Sequence, residues 1–455
     1  MFRTIELPIW ALALLMLFAA VTFASHFLFP SVRWFFRKRA ERLVAKLNTR
    51  LKRPIQPFKL ARRMDTINRL THDPGVAQAI AEHARDNGIP EEVAFEDAKR
   101  YAREIVPGFS ASLYFGFATR AARWLSKGLY RVRVTGEATA MDGIDPKATV
   151  VFVLNHRSNM DYVLVTWLAA RQTALAYAVG EWARGWPLRV LIRAMGGYFV
   201  RRKHLNPLYR KVLARYVQIA TQNGVTQAVF PEGRLSRDGK LQPPKLGVLS
   251  YIIADHDAES ARDVVFIPVA VNYERVLEDR VLISAGRDSS RSAQLRWYTV
   301  ARHALMHLQL RLTGRFTRLG YAAVSFGEPL SLQSFLWKGH SDPAAALGEE
   351  LMRRIEAVLP VVPLALVSEA LHHGARDVAV VAAHLEARVE DWKGTGHPVH
   401  YAQREARDTA LVALRMLEAR GALALQDDRI TLEEDWLYVV AYYAANLPVQ
   451  KELET

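Results

Sequence analysis

The sequence predicts an α/β protein: a mixed, mostly parallel sheet flanked by helices, with an N-terminal transmembrane helix and helical regions before and after the sheet. Three observations predict it. The stretch Leu7 to Phe29 contains no Asp, Glu, Lys or Arg. Between about residues 130 and 330, short apolar runs bounded by turn residues alternate with helical stretches, the pattern of a layered α/β fold. On either side of that block, apolar residues recur three and four apart, as amphipathic helices require.

Composition narrows the function. The chain has 455 residues, 50% hydrophobic and 10% aromatic, which excludes a disordered protein. It has 0 cysteines, so disulfide scaffolds, thiolate zinc sites, iron–sulfur clusters and cysteine nucleophiles are excluded. Lys+Arg number 61 against 46 Asp+Glu, a formal charge of +15 that points to anionic partners: lipid headgroups, nucleic acid or phosphorylated substrates.

Taken in order, Leu7–Phe29 has about the 20 residues a helix needs to cross a bilayer, and is longer than a secretory leader. A basic run follows, from Arg33 through Arg63, opposed only by Glu41. The positive-inside rule then predicts a single span in the inner (cytoplasmic) membrane, with the catalytic body on the cytoplasmic side and a short N-terminus outside. The other reading of Leu7–Phe29 is a buried core helix. Domain boundaries are expected at 1–30 for the anchor, 31–135 for a basic helical region, 136–340 for the α/β domain and 341–455 for a helical C-terminal domain. Helices are expected at Asp65–Leu70, Val76–Asn87, Glu91–Ile105 and Pro207–Gln222. Strands are expected at Arg131–Thr135, Ala148–Leu154, Gln227–Phe230, Val264–Val271 and Tyr321–Phe326. Near the C-terminus, Leu411–Arg420 reads as a helix, and Ala422–Leu425 with Ile430–Leu432 as a hairpin turning at Asp427-Asp428.

The chemistry-bearing residues fall at strand ends. The run Val150–Asp161 delivers Asn155-His156 to the carboxyl end of a strand, where open α/β sheets bind ligands. On one helix, residues five apart lie roughly 140° apart; a turn between His156 and Asp161 instead lets the carboxylate hold one imidazole nitrogen. The other nitrogen is then free to take a proton from a hydroxyl. No Gly-x-Ser-x-Gly elbow accompanies the pair, so the hydroxyl belongs to a substrate or the histidine is structural. Gly196-Gly197-Tyr198-Phe199-Val200-Arg201-Arg202-Lys203 sets three cations after a short apolar strand. Phe230-Pro231-Glu232-Gly233-Arg234-Leu235-Ser236-Arg237-Asp238-Gly239-Lys240 is a Gly-rich polar loop after another. From 181 to 240 there are 12 Lys+Arg against 3 Asp+Glu. The loop has five residues between its glycines and Leu241 where Ser or Thr should stand, so it is not a nucleotide phosphate loop. Bland readings are a solvated helix start and a turn-rich connector. His372-His373 reads as a helix-surface pair, and no metal site is expected.

Together these blocks resemble the glycerolipid acyltransferase superfamily. His156 to Tyr162 is similar to its His-x4-Asp motif, Gly196 to Arg202 to its second motif, Phe230 to Gly233 to its third and Phe266-Ile267-Pro268-Val269 to its fourth, in order across about residues 145 to 330. Phe326-Gly327-Glu328-Pro329-Leu330 also suits the family. The Arg157-Ser158 wording, the paired arginines and Ala441-Tyr442-Tyr443-Ala444-Ala445-Asn446 look most like the bacterial, membrane-bound glycerol-3-phosphate 1-acyltransferases. The resemblance implies His156 as general base and Asp161 as its orienter, with Arg201 and Arg237 on the substrate phosphate. Arg157, Ser158, Gly197, Phe199, Arg202, Glu232, Gly233, Arg234, Ser236 and Pro268 would complete the substrate site. It implies acyl transfer from acyl-CoA or acyl-carrier protein to the 1-hydroxyl of glycerol 3-phosphate, with anionic membrane lipids as neighbours, no cofactor and no nucleic acid. Two features depart from that branch: Leu235 stands where Arg usually precedes the Ser, and Phe-Pro-Glu-Gly wording is commoner in the lysophosphatidate branch. The rivals are a lysophosphatidate acyltransferase, a non-catalytic membrane-tethered binder of anionic lipid or nucleic acid, and a metal phosphohydrolase. The last lacks the extra His/Asp clusters such sites use.

Overall fold

The structure is a computed structural model that describes residues 8–23, 29–180, 185, 188–201, 206–256, 259, 262–287, 318–401 and 405–449. The chain divides into two units, residues 1–55 and 56–455.

In the first unit the charge-free stretch forms the helix Ile9–Phe23, apolar on every side and exposed, with Ile9 87% and Phe18 73% accessible. Residues 24–28, the end of the expected span, lie outside the described residues. Among the described residues no helix is long and apolar enough to cross a membrane. The basic run begins on a second helix, Phe29–Asn48.

The second unit holds the sheet. Its strands are β1 (Arg131–Thr135), β2 (Thr149–Leu154), β3 (Ala176–Val179), β4 (Gly197–Phe199), β5 (Gln227–Val229), β6 (Val264–Tyr273), β7 (Tyr321–Phe326) and β8 (Leu330–Ser331). They lie in the order β1-β7-β6-β2-β5-β3-β4, with β8 also paired to β6. The five strands from β6 to β4 run parallel; β7 and β8 run antiparallel to β6. The sheet is thus mixed and mostly parallel, as the sequence pattern predicts.

Alternation along β2 explains the layers. Val150, Phe152 and Leu154 point into one apolar core, and Val151 and Val153 into another on the opposite face. With both faces covered, every residue of β2 and β6 is buried, so these strands read as continuous apolar runs. The first face is covered by the helix Met160–Ala169 and by helices of the C-terminal region; the second by Pro207–Gln222 and Pro343–Ala357.

Pro268 interrupts a central strand, where a missing N–H would ordinarily break the ladder. It sits where β6 changes partners, opposite the break Gly327–Pro329 between β7 and β8, and its carbonyl accepts the Gly327 N–H at 2.8 Å. The C-terminal hairpin forms as expected from Leu423–Gln426 and Arg429–Leu432. Asp427 (φ 46°) and Asp428 (φ 65°) fill its two left-handed turn positions.

Candidate active site

The carboxyl ends of β2, β5, β3, β4 and β6 share one sheet edge, and β2 delivers His156 to it. Asn155 fixes the exit of the strand. Its side chain accepts the Val271 N–H at 2.7 Å and donates to the Val271 carbonyl at 2.9 Å, standing in for a further ladder rung to β6.

Residues 156–161 form the turn that the spacing requires. His156 Nδ1 is 2.9 Å from Asp161 Oδ2, and the same oxygen accepts the backbone N–H groups of Arg157 (2.8 Å) and Ser158 (3.0 Å). The other carboxylate oxygen accepts the Tyr273 hydroxyl at 2.7 Å. Asp161 is fully buried in the first turn of Met160–Ala169. A carboxylate receiving that many donors is held immobile, and since its oxygen faces Nδ1 as an acceptor, Nδ1 is the protonated nitrogen. Nε2 is then the basic one, and among the described residues it takes no hydrogen bond. Phe230 lies against one face of the ring (centroids 4.3 Å apart) and Tyr162 meets it edge-on (5.4 Å), so the imidazole cannot swing away.

A second tier holds the turn. Ser158 Oγ donates to Glu278 Oε2 at 2.9 Å, and the Asn159 N–H and side-chain amide donate to Oε1 at 2.7 and 2.9 Å. Burial pushes the Glu278 carboxyl up to about 7 against those bonds. Glu232 accepts the His156 N–H at 3.0 Å. Burial raises it too, to about 7, with the Arg157 charge and the backbone N–H groups of His156 and Gln242 opposing.

The loop after β5 closes over this turn. The Ser236 N–H donates to the His156 carbonyl at 3.0 Å, and Ser236 Oγ donates to the Lys240 carbonyl at 2.9 Å. Arg157, fully buried, donates through Nη1 to the Gly239 carbonyl. Gly233 adopts φ +66°, and its N–H donates to the Phe230 carbonyl, so that N–H is not an oxyanion donor. Arg234 and Leu235 follow Gly233 in the same loop. Arg234 is exposed and reaches Gln242 Oε1 at 3.3 Å. Arg237 donates to the Ala285 carbonyl at 3.0 Å.

The β4 block lies elsewhere on the edge. Three strand spacings, roughly 14 Å, separate β4 from β2. Arg201 spends its fork on Glu104, with Nε–Oε1 at 2.9 Å and Nη2–Oε2 at 2.6 Å. Gly197 is small because a Cβ would meet Ile192 Cγ2 at 2.5 Å; Phe199 is buried in the core. Arg202 lies outside the described residues. Pro268 is a core residue of β6, paired with Val153. The structure therefore gathers His156, Arg157, Ser158, Asp161, Glu232, Gly233, Ser236 and Arg237 around one turn and leaves Gly197, Phe199 and Arg201 apart from it. Sequence reasoning missed Tyr273, Glu278 and Lys245, whose side-chain stem lies across Gly233 (2.9 Å from where its Cβ would be). His372 and His373 stand at the end of the helix Pro363–His372. Among the described residues no group of three or more His, Asp and Glu could hold a metal ion.

Residues 131–272 match the Acyltransferase family model, and residues 310–447 match that of the Glycerol-3-phosphate acyltransferase C-terminal region. A glycerol-3-phosphate acyltransferase of Pseudomonas putida (strain W619) is 26% identical over 90% of this chain and 51% of its own length. One of Ectopseudomonas mendocina is 27% identical over 85% of this chain and 49% of its own. The chain thus spans about half the length of the curated relatives it matches. The crystal structure of the 1-acyl-sn-glycerophosphate (LPA) acyltransferase from Thermotoga maritima overlaps 53% of this chain and 77% of its own, at 21% identity and a TM-score of 0.33. The His-x4-Asp turn at the end of β2 thus lies inside the region that matches the Acyltransferase family model, and the helices of the C-terminal region lie inside the second match.

Proposed function

We propose that the chain transfers a fatty acyl group from acyl-CoA or acyl-carrier protein to the 1-hydroxyl of glycerol 3-phosphate, giving lysophosphatidate. The observation that carries this reading is the His156–Asp161 pair, buried at the carboxyl edge of the parallel sheet with Nε2 left to act. In the proposed step, Nε2 takes the hydroxyl proton as that oxygen attacks the thioester carbonyl carbon. The carbon–sulfur bond then breaks and the imidazolium returns the proton to the leaving thiolate. A positioned base supplies roughly 10²–10⁴-fold. The charge on the tetrahedral oxygen falls to the N–H groups of Arg234 and Leu235, each donor contributing about 3 kcal/mol. Arg237, one residue from the Ser236 N–H bonded to His156, is our candidate for the substrate phosphate. Arg201 reaches a ligand only by leaving Glu104.

The N-terminal apolar helix would lie in the bilayer, its exposed surface being apolar on all sides, with the basic run in the headgroup layer on the cytoplasmic side. A second reading takes lysophosphatidate as acceptor; the Phe230-Pro231-Glu232-Gly233 wording favours it.

Thiol release from acyl-CoA, measured on the full chain in membranes with glycerol 3-phosphate or lysophosphatidate supplied separately, decides between them. Release with neither acceptor, or equal release from His156→Ala that retains its fold, removes the proposal.

A further inference from the structure

We infer that the segment from Ser112 to Leu129 is a bilayer-docking surface of the catalytic unit, a second contact with anionic lipid independent of the N-terminal helix. The segment is a wide π-helical stretch, Ser112–Ala118, running into the helix Thr119–Leu129. One side of it is buried: Tyr114, Ala118, Ala122, Ser126 and Leu129 pack inward. That side lies against the helix Met160–Ala169, whose first turn holds Asp161, with Lys127 Nζ set 5.8 Å from the Trp167 ring centroid.

The other side carries two large aromatics in water. Phe117 is 59% exposed and Trp124 is 64% exposed, seven residues apart and so on one face. Arg120 and Arg123 are exposed on the same side, while Lys127, at its margin, turns its Nζ toward Trp167. No Asp or Glu occurs between Glu104 and Glu137, while Arg120, Arg123, Lys127, Arg131 and Arg133 all do. The Ser110 N–H donates to the Ala194 carbonyl at 2.8 Å, which ties in the helix Leu188–Ala194 with its exposed Val190 (55%).

Large aromatics exposed among cations, with no acid in the segment itself, match the boundary of an anionic bilayer. There the rings enter the acyl margin and the cations meet phosphates. A purely solvated face has no use for an exposed Trp and Phe at helical spacing. The charge favours a lipid surface over a second copy of this chain, because two such faces would repel. This inference needs a bilayer but neither the acyl-transfer reading nor the apolar N-terminal helix to hold.

The chain contains 0 cysteines, so single cysteines can be labelled without background. Phe117→Cys, Trp124→Cys, Trp10→Cys and two distant exposed controls, Trp337→Cys and Val412→Cys, are labelled with an environment-sensitive fluorophore. Each full-length variant is reconstituted into phosphatidylglycerol–phosphatidylcholine vesicles carrying spin-labelled lipid. The expected result is strong quenching at 117 and 124, little at 337 and 412, and reduced quenching at 117 when Arg120→Glu and Arg123→Glu are added. Quenching at 117 and 124 no greater than at the controls overturns the inference, and so does a concentration-dependent blue shift at 124 without lipid, which would mean a second copy covers the face. The Trp10→Cys signal reports the N-terminal helix separately: quenched there but not at 117 or 124, the anchor stands and the docking surface falls.

Discussion

Asp161 carries more of the site than its role as a histidine's partner suggests. Its Oδ2 accepts His156 Nδ1 and two backbone N–H groups, and its Oδ1 accepts Tyr273. Asp161→Asn would place an N–H₂ against donors and leave the imidazole tautomer unfixed. On the proposed reaction, kcat should fall roughly 10²–10⁴-fold with KM little changed. Tyr273→Phe removes one charge-assisted bond and should cost about tenfold in kcat or less. Steady-state kinetics on both variants, alongside their unfolding temperatures, checks the ranking; a larger loss in Tyr273→Phe would contradict it. The arginines separate in the same way. Arg237→Ala should raise KM for glycerol 3-phosphate. Arg201→Ala should lower thermal stability, because it removes the two-pronged pair with the part-buried Glu104, and should leave KM near its starting value. At this scale the sequence made His156 and Asp161 legible because they are five residues apart. Tyr273 and Glu278 stayed hidden because they reach the turn from 112 and 120 residues away, and nothing local marks a tyrosine or glutamate as a buried support.

Between elements, the sharpest constraint is where the loop after β5 meets the last helix, Leu437–Ala444. Gly239 adopts φ +85°, and a Cβ there would lie 2.0 Å from the Tyr442 carbonyl oxygen and 3.2 Å from Asn446 Oδ1. The same glycine's carbonyl holds Arg157, and its N–H donates to Ser236 Oγ at 3.1 Å. Gly239→Ala must therefore displace the loop, and with it the Ser236 contact to His156. Activity should drop at least tenfold and unfolding temperature should fall, whereas Gly247→Ala, with nothing within 4 Å of its Cβ, should be silent. Equal behaviour of the two variants would show that the close approach does not matter. Elements with a long periodic pattern were legible: Glu91–Ile105 and Pro207–Gln222 fall where apolar spacing puts them. The strand Ala176–Val179 was not, because four residues are too few to show a period and its burial comes entirely from its neighbours. The partner change at Pro268 was equally invisible, since it depends on where β7 breaks.

For the molecule as a whole, burial of carboxyls sets a pH dependence whose sign can be worked out. Glu232, Glu274 and Glu278 are all pushed up to about 7, first of all by desolvation. Each therefore holds a proton in the folded state over a range where the unfolded chain has lost it. The folded state binds more protons between roughly pH 4.5 and 7, so stability falls as pH rises through that window and levels off above it. Glu350 acts in a different window. Arg353 and Arg354 hold it down to about 2, so its small, largely solvent-screened contribution is lost only as pH falls below about 4.5. His397 and His400 are lowered by burial and oppose the carboxyls just below pH 6.5, as two half-buried groups against three buried ones. On these carboxyls alone, unfolding temperature should be higher at pH 5 than at pH 8, opposed by Lys59, whose burial holds its ammonium well below the usual lysine range and favours high pH. Glu274 isolates the effect, because it lies away from His156 and accepts the Tyr321 N–H at 2.7 Å between β6 and β7. Glu274→Gln keeps that acceptor and cannot ionise. Relative to the parent chain it should gain stability at pH 8 compared with pH 5, by up to about 3 kcal/mol for a shift of this size. A difference between the two proteins that stays constant across the pH range would show that Glu274 is charged throughout, and that the bond from Tyr321 outweighs its burial.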